Sequence, residues 1–135
     1  MLHEISNVKP QSRGQVRRWF TDNDMDLFVW FSRQAPVGFQ LSYNKQTDEK
    51  AICWGNENGF QHYSVDSGEV EPIKYKMSPL YSSDGDFDTY AIARAFLHNS
   101  EHIETTLADF IYARLLEYPG ASKKHPDQDA ASSNF

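Results

Sequence analysis

Five short apolar runs recur about every 11 residues through the first half of the chain, and this spacing constrains the fold more than any other feature. The runs are Val16 to Phe20, Leu27 to Phe31, Phe39 to Tyr43, Ala51 to Trp54 and Phe60 to Val65. Turn chemistry separates them: Asp22-Asn23-Asp24, Pro36 with Gly38, Asn44 to Asp48, and Gly55-Asn56-Glu57-Asn58-Gly59. Asn and Gly tolerate the positive φ that tight turns require. Parallel neighbours would need crossovers of a dozen or more residues, and these gaps are too short for that. The pattern therefore predicts five consecutive antiparallel strands in an up-and-down meander, ended by a further turn at Asp66-Ser67-Gly68.

Side-chain alternation assigns faces to these strands. Leu27, Val29 and Phe31 share one face of the second run, and Phe28 and Trp30 share the other, so this strand is apolar on both sides and needs cover on both. In the third run, Gln40 and Ser42 form a polar strip against Phe39, Leu41 and Tyr43. His62 and Ser64 oppose Gln61, Tyr63 and Val65 in the fifth, and the strand registers decide whether His62 and Gln40 meet.

Two amphipathic helices are expected after the meander. Asp86 is the expected N-cap of the first, whose apolar arc holds Tyr90, Ile92, Ala93, Phe96 and Leu97. The second is expected to start at Ser100, to carry Ile103, Leu107, Phe110, Ile111, Leu115 and Tyr118 in one stripe, and to stop at Pro119-Gly120. Arg114 falls within that stripe, where it either snorkels over the last helical turn or pairs with a carboxylate or binds an anion on the sheet. The predicted fold class is thus α+β: a five-stranded antiparallel β-meander followed by two C-terminal amphipathic helices packed on one sheet face. Residues 1–14 read as a flexible N-terminal arm, residues 15–120 as a single domain, and residues 121–135, polar with Pro126, as a disordered tail. Residues 69–85 carry short extended pieces around Ile73 to Met77 and Leu80 to Ser82.

Charge placement narrows the partners. Of the net charge of −6, residues 61–120 carry all of the excess, with 10 acidic and 4 basic side chains. Nucleic acid requires a basic footprint, so none is expected as a partner despite Arg13, Arg17 and Arg18. No apolar run reaches membrane-spanning length, and the first residues lack a secretory core, which points to a cytoplasmic protein. A lone cysteine, Cys53, excludes an internal disulfide and a thiolate zinc cage and suits a reducing compartment.

Motifs for catalysis or metal binding fail on inspection. Asp22, Asp24 and Asp26 alternate, as do Asp84, Asp86 and Asp88. A calcium loop would need Gly and Glu where these offer Leu27 and Arg33, or Thr89 and Ala95, so solvated turn and cap roles are expected. His98 and His102 have the four-residue spacing of a helical metal pair, but Asn99-Ser100 reads as a helix junction between them. His62 and Asp66 lack a nucleophile elbow, and no glycine-rich phosphate loop is present. No catalytic residue, metal site or cofactor is expected.

The segments Arg17-Arg18-Trp19-Phe20, Asp26-Leu27-Phe28-Val29-Trp30, Gly38-Phe39-Gln40-Leu41-Ser42-Tyr43, Ala51-Ile52-Cys53-Trp54 and His62-Tyr63-Ser64-Val65-Asp66-Ser67-Gly68 resemble a group of short uncharacterised bacterial proteins. The resemblance spans residues 16–118. It implies a bacterial cytoplasmic protein and carries no activity, cofactor or catalytic residue with it.

The aromatic excess and the doubly apolar central strand favour a small non-catalytic binding or protein-interaction module. The alternative is a small enzyme or small-molecule-binding protein that uses a pocket on the helix-free sheet face, where Arg18, Trp30, Gln40, Ser42 and His62 are the candidate ligand-binding residues. A homodimer or protein partner would cover Phe28 and Trp30, in competition with self-cover by residues 69–85 or with a ligand.

Overall fold

The structure, a computed structural model, describes residues 1–10, 15–65, 77–79 and 88–118. Among these, seven strands form one antiparallel sheet in strict sequence order: β1 (His3–Pro10), β2 (Gln15–Thr21), β3 (Asp26–Ser32), β4 (Ala35–Tyr43), β5 (Lys50–Gly55), β6 (Gly59–Val65) and β7 (Met77–Pro79). Two helices follow, α1 (Thr89–His98) and α2 (Thr105–Leu116). The α+β class and the antiparallel meander match the sequence reading. The five expected strands are β2 to β6, and the sheet gains one strand on each side.

The gain at β1 lies within the residues read from sequence as an N-terminal arm. Leu2 carries little sequence signal alone, yet it is fully buried, and its amide donates to the Asn99 carbonyl at the end of α1 at 2.9 Å. That tether brings His3, Glu4 and Ile5 opposite Thr21, Phe20 and Trp19, and the ladder shifts register before Lys9 pairs with Arg17. At the other side Met77–Pro79 pairs with β6 as an edge strand. In that position it extends the sheet and does not lie over it as cover. The other expected pieces of residues 69–85 and the tail at 121–135 lie outside the described residues, and the N-cap of the first helix is Asp88 in place of the expected Asp86.

The β3–β4 turn also differs from expectation. Pro36 and Gly38 lie within β4, and the turn is Arg33-Gln34, with φ of 54° and 69°. A two-residue hairpin requires this left-handed pair to match strand twist, even where both residues carry a Cβ. The register then shifts between Trp30↔Gly38 and Phe31↔Pro36, which accommodates the proline beside a bulge.

One face of the sheet packs on the helices. Phe20, Leu27, Val29, Phe39, Leu41, Tyr43 and Ile52 meet Ala93, Phe96, Leu107, Ala108, Ile111 and Leu115 in one core. Helix α1 is capped by Asp88, whose carboxylate accepts from the Ala91 amide at 3.1 Å. Leu97, expected in its apolar arc, is 39% exposed, because Thr89, Ala93 and Phe96 form the buried line. Helix α2 begins five residues later than expected, at Thr105. Ser100 instead closes α1, its hydroxyl donating to the Leu97 carbonyl at 2.7 Å, and Ile103 is buried in the connecting turn.

Arg18 fastens α2 to the sheet. Its guanidinium donates to Glu4 of β1 through Nε and Nη2, both at 2.8 Å, and to Glu104 at the start of α2 at 2.9 and 3.2 Å. It also lies over the rings of Phe20 and Phe31. The bond from Arg18 holds the Glu104 carboxyl below its ordinary range. Because folding lowers this pKa, the contribution to stability is complete above the unfolded value and disappears as pH falls through the folded one. Arg18→Ala should therefore cost about 1–2 kcal/mol at neutral pH, and its stability should fall less steeply than that of the wild type as the solution is acidified. Urea titrations across pH 3 to 7 would measure both slopes, and parallel curves would show that the Glu104 pair adds nothing.

Candidate functional site

The strand registers divide the five candidate residues between the two sheet faces. Trp30, Gln40 and Ser42 alternate with core residues and occupy the helix-free face. Arg18 and His62 occupy the helix side, so the expected cluster of five does not assemble. His62 is cross-strand from Ile52, and its Nε2 lies 2.6 Å from the Tyr43 hydroxyl beneath the ring of Tyr118. Burial pushes the Tyr43 phenol well above its ordinary range, so it keeps its proton at neutral pH. These groups are part of the helix-to-sheet contact. Arg114 is there too: its guanidinium lies over Trp54 and Phe110 and bonds Glu117 at 2.6 Å, which joins the snorkelling and carboxylate-pairing alternatives on its own helix.

The helix-free face carries an aromatic row. Trp19 stacks on Phe28 with ring centroids 5.5 Å apart, Trp30 follows at 6.4 Å from Phe28, and the Arg17 guanidinium lies over Phe28 at 5.2 Å. Phe28 is 4% exposed in the single chain, and Gln40, Ser42 and Cys53 are buried with it. A second copy is therefore not needed to bury Phe28.

Asp26 is a correction of a different kind. It was expected in a solvated turn with Asp22 and Asp24. Asp22 does take a turn role, accepting from the Asp24 and Met25 amides at 2.8 Å. Asp26 instead opens β3 as a buried carboxylate. One of its oxygens accepts from Thr21 Oγ1 at 2.5 Å and Trp19 Nε1 at 3.2 Å and pairs with Lys45 Nζ at 3.2 Å.

The feature that sequence reading missed lies beside Trp30. Along one line across the sheet, Trp30 pairs with Gly38, Gly38 with Gly55, and Gly55 with Gly59. Alternation puts all four on the helix-free face. Strands lie about 4.8 Å apart, so the three glycines expose about 10 Å of bare backbone next to an indole. This line floors an open hollow of about 460 Å³. Trp30, Gln15, Ser32, Cys53 and Gln61 contribute to its walls, and the β5–β6 turn with Asn56, Glu57 and Asn58 forms its rim. The Asn56 amide donates to the Val37 carbonyl at 3.0 Å and fixes that turn against β4. A Cβ at Gly38 would lie 3.0 Å from the Trp54 carbonyl oxygen, so the facing backbone would have to give by a few tenths of an ångström. Gly59 has φ of 72°, a turn conformation that suits glycine. At Gly55 a Cβ would meet Asn58 at 3.9 Å, an ordinary contact.

Cys53 lies at the edge of this floor. Its thiol is directed to Gln40 Oε1 at 3.7 Å, and burial pushes its pKa up to about 12, so it stays protonated and unreactive at neutral pH. Among the described residues no three His, Cys, Asp or Glu side chains gather as metal ligands. His98 ends α1 and His102 lies in the turn beyond it, so the two do not share a helical face. No helix among the described residues is long and apolar enough to cross a membrane. The chain matches no protein-family model, no characterised protein and no solved structure.

Proposed function

We propose that this protein is a non-catalytic binding module that holds a small neutral molecule in the glycine-floored hollow on the helix-free face. The alignment of Gly38, Gly55 and Gly59 beside Trp30 carries the reading. Glycine within strands weakens them and often marks a place where a ligand comes close to the backbone. The hollow falls in the size range of small-molecule sites and sets an aromatic wall against polar side chains from Gln15, Ser32, Gln61 and the β5–β6 turn. Binding is favoured over catalysis because Cys53, the nucleophile nearest in kind, is held as a thiol, and His62 serves the opposite face. A small ligand is favoured over a protein partner because Phe28, Gln40 and Ser42 are already buried within one chain. The proposal extends to a bacterial cytoplasmic setting, supported by the resemblance of residues 16–118 and by a lone buried thiol that suits a reducing compartment.

Gly55→Val fills the hollow at the floor position that tolerates a side chain, and a β-branched residue suits a strand. The variant should keep its melting temperature within a few degrees. It should also lose the ligand signals that the wild type gives in saturation-transfer NMR against a panel of neutral ring compounds. A wild type that gives no signals, or a variant that keeps them all, would reject the hollow as the site.

A further inference from the structure

We propose that the ligand of this hollow is a planar nitrogen heterocycle of the nucleobase kind, taken as base or nucleoside and not as nucleotide; this rests on the hollow being the binding site. The first argument is shape. A floor of glycine backbone about 10 Å long has no side chains to interrupt it, so a flat fused ring lies against it more closely than a puckered one. Trp30 closes one end, and an indole is a stacking surface for the π-face of any base.

The second argument is hydrogen bonding. Gln15, Gln61, Asn56 and Asn58 supply neutral amides around the hollow. Each amide presents a donor beside an acceptor, which is the complement of the adjacent donor and acceptor atoms on a base edge. The third argument is charge. Glu57 is the charged residue among the described residues that line the hollow. Arg17, cross-strand from Trp30, places its guanidinium over Phe28. Among the described residues a phosphate would thus meet a carboxylate at the rim and no lining cation, in a chain whose net charge is already −6.

Titration calorimetry and saturation-transfer NMR with adenosine, guanosine, cytidine and uridine, their 5′-monophosphates, and glucose and galactose would test this. At least one nucleoside should bind, at least tenfold more tightly than its monophosphate. Trp30→Phe should keep most of that affinity, Trp30→Ala should lose tenfold or more, and Gly55→Val should abolish binding with its fold intact by melting. Equal or tighter binding of the monophosphates would overturn the proposal. So would binding of the sugars alone, and if Gly55→Val removed it the hollow would stand as a site for another class. Nucleoside binding untouched by Gly55→Val and Trp30→Ala would reject the hollow itself, and a complete lack of binding would overturn the heterocycle.

Discussion

Phe96→Ala should lower the unfolding free energy by about 3–5 kcal/mol in urea titrations. The side chain has no exposed surface, and it belongs to the core shared by the sheet and α2. Deleting a buried phenyl removes its transfer free energy and also leaves a cavity in a packed interior. Phe110→Ala is the control on the same helix-to-sheet layer. Phe110 is half-buried and meets Trp54 edge to face at 5.3 Å, so its truncation should cost less than that of Phe96. Equal losses below about 1 kcal/mol at both sites would show that the two helices do not pack on the sheet as described.

Asp26→Ala should cost about 3 kcal/mol, although the site resembles a surface turn in sequence. The substitution removes the acceptor shared by the Trp19 indole N–H, the Thr21 hydroxyl and the Lys45 ammonium, while Lys45 still donates to Thr21 Oγ1 at 3.2 Å. Removing one partner of a buried polar cluster costs more than the cluster contributes as a whole, because the remaining groups lose both protein and water. Lys45 also donates to the Asp22 carbonyl at 2.9 Å, which keeps part of its solvation and limits the loss. Asp26→Asn should be milder, since an amide oxygen still accepts from Thr21 and Trp19 while the charge on Lys45 goes unmatched. Chemical denaturation of both variants with the Lys45→Met/Asp26→Ala double mutant would separate these contributions. A loss in Asp26→Ala no larger than at an exposed aspartate such as Asp24 would show that the cluster is solvated.

Local pattern was enough for the order and direction of β2 to β6. Their alternation, spacing and turn residues are short-range properties that leave antiparallel pairing as the sterically accessible outcome. The helix-facing line of Leu27, Val29 and Phe31 was legible for the same reason, as was the opposite placement of Phe28 and Trp30. Local pattern misplaced the β3–β4 turn, because Pro36 and Gly38 are strong turn residues by propensity. The ladder instead recruits Arg33 and Gln34 into the left-handed region so that the two long strands can pair. It also missed β1. Leu2 is a single apolar residue whose burial depends on a helix end almost a hundred residues later in the chain.

The candidate site shows the same division. Trp30, Gln40 and Ser42 were identifiable from alternation within their own strands, and they do share the helix-free face. Arg18 and His62 were grouped with them only by residue type. Face membership across strands depends on register, where a shift of one residue inverts every side chain. The glycines were read as turn signals. Their alignment with Trp30 exists only once three hairpin registers are set, because Gly38, Gly55 and Gly59 are neighbours through hydrogen-bonded ladders and not through sequence spacing. Sequence by itself determined that β2 to β6 form and which way their side chains alternate, since both follow from backbone geometry and local turn chemistry. Tertiary structure decided which residues from different strands meet, since that depends on cooperative pairing and on the packing of one sheet face against two helices.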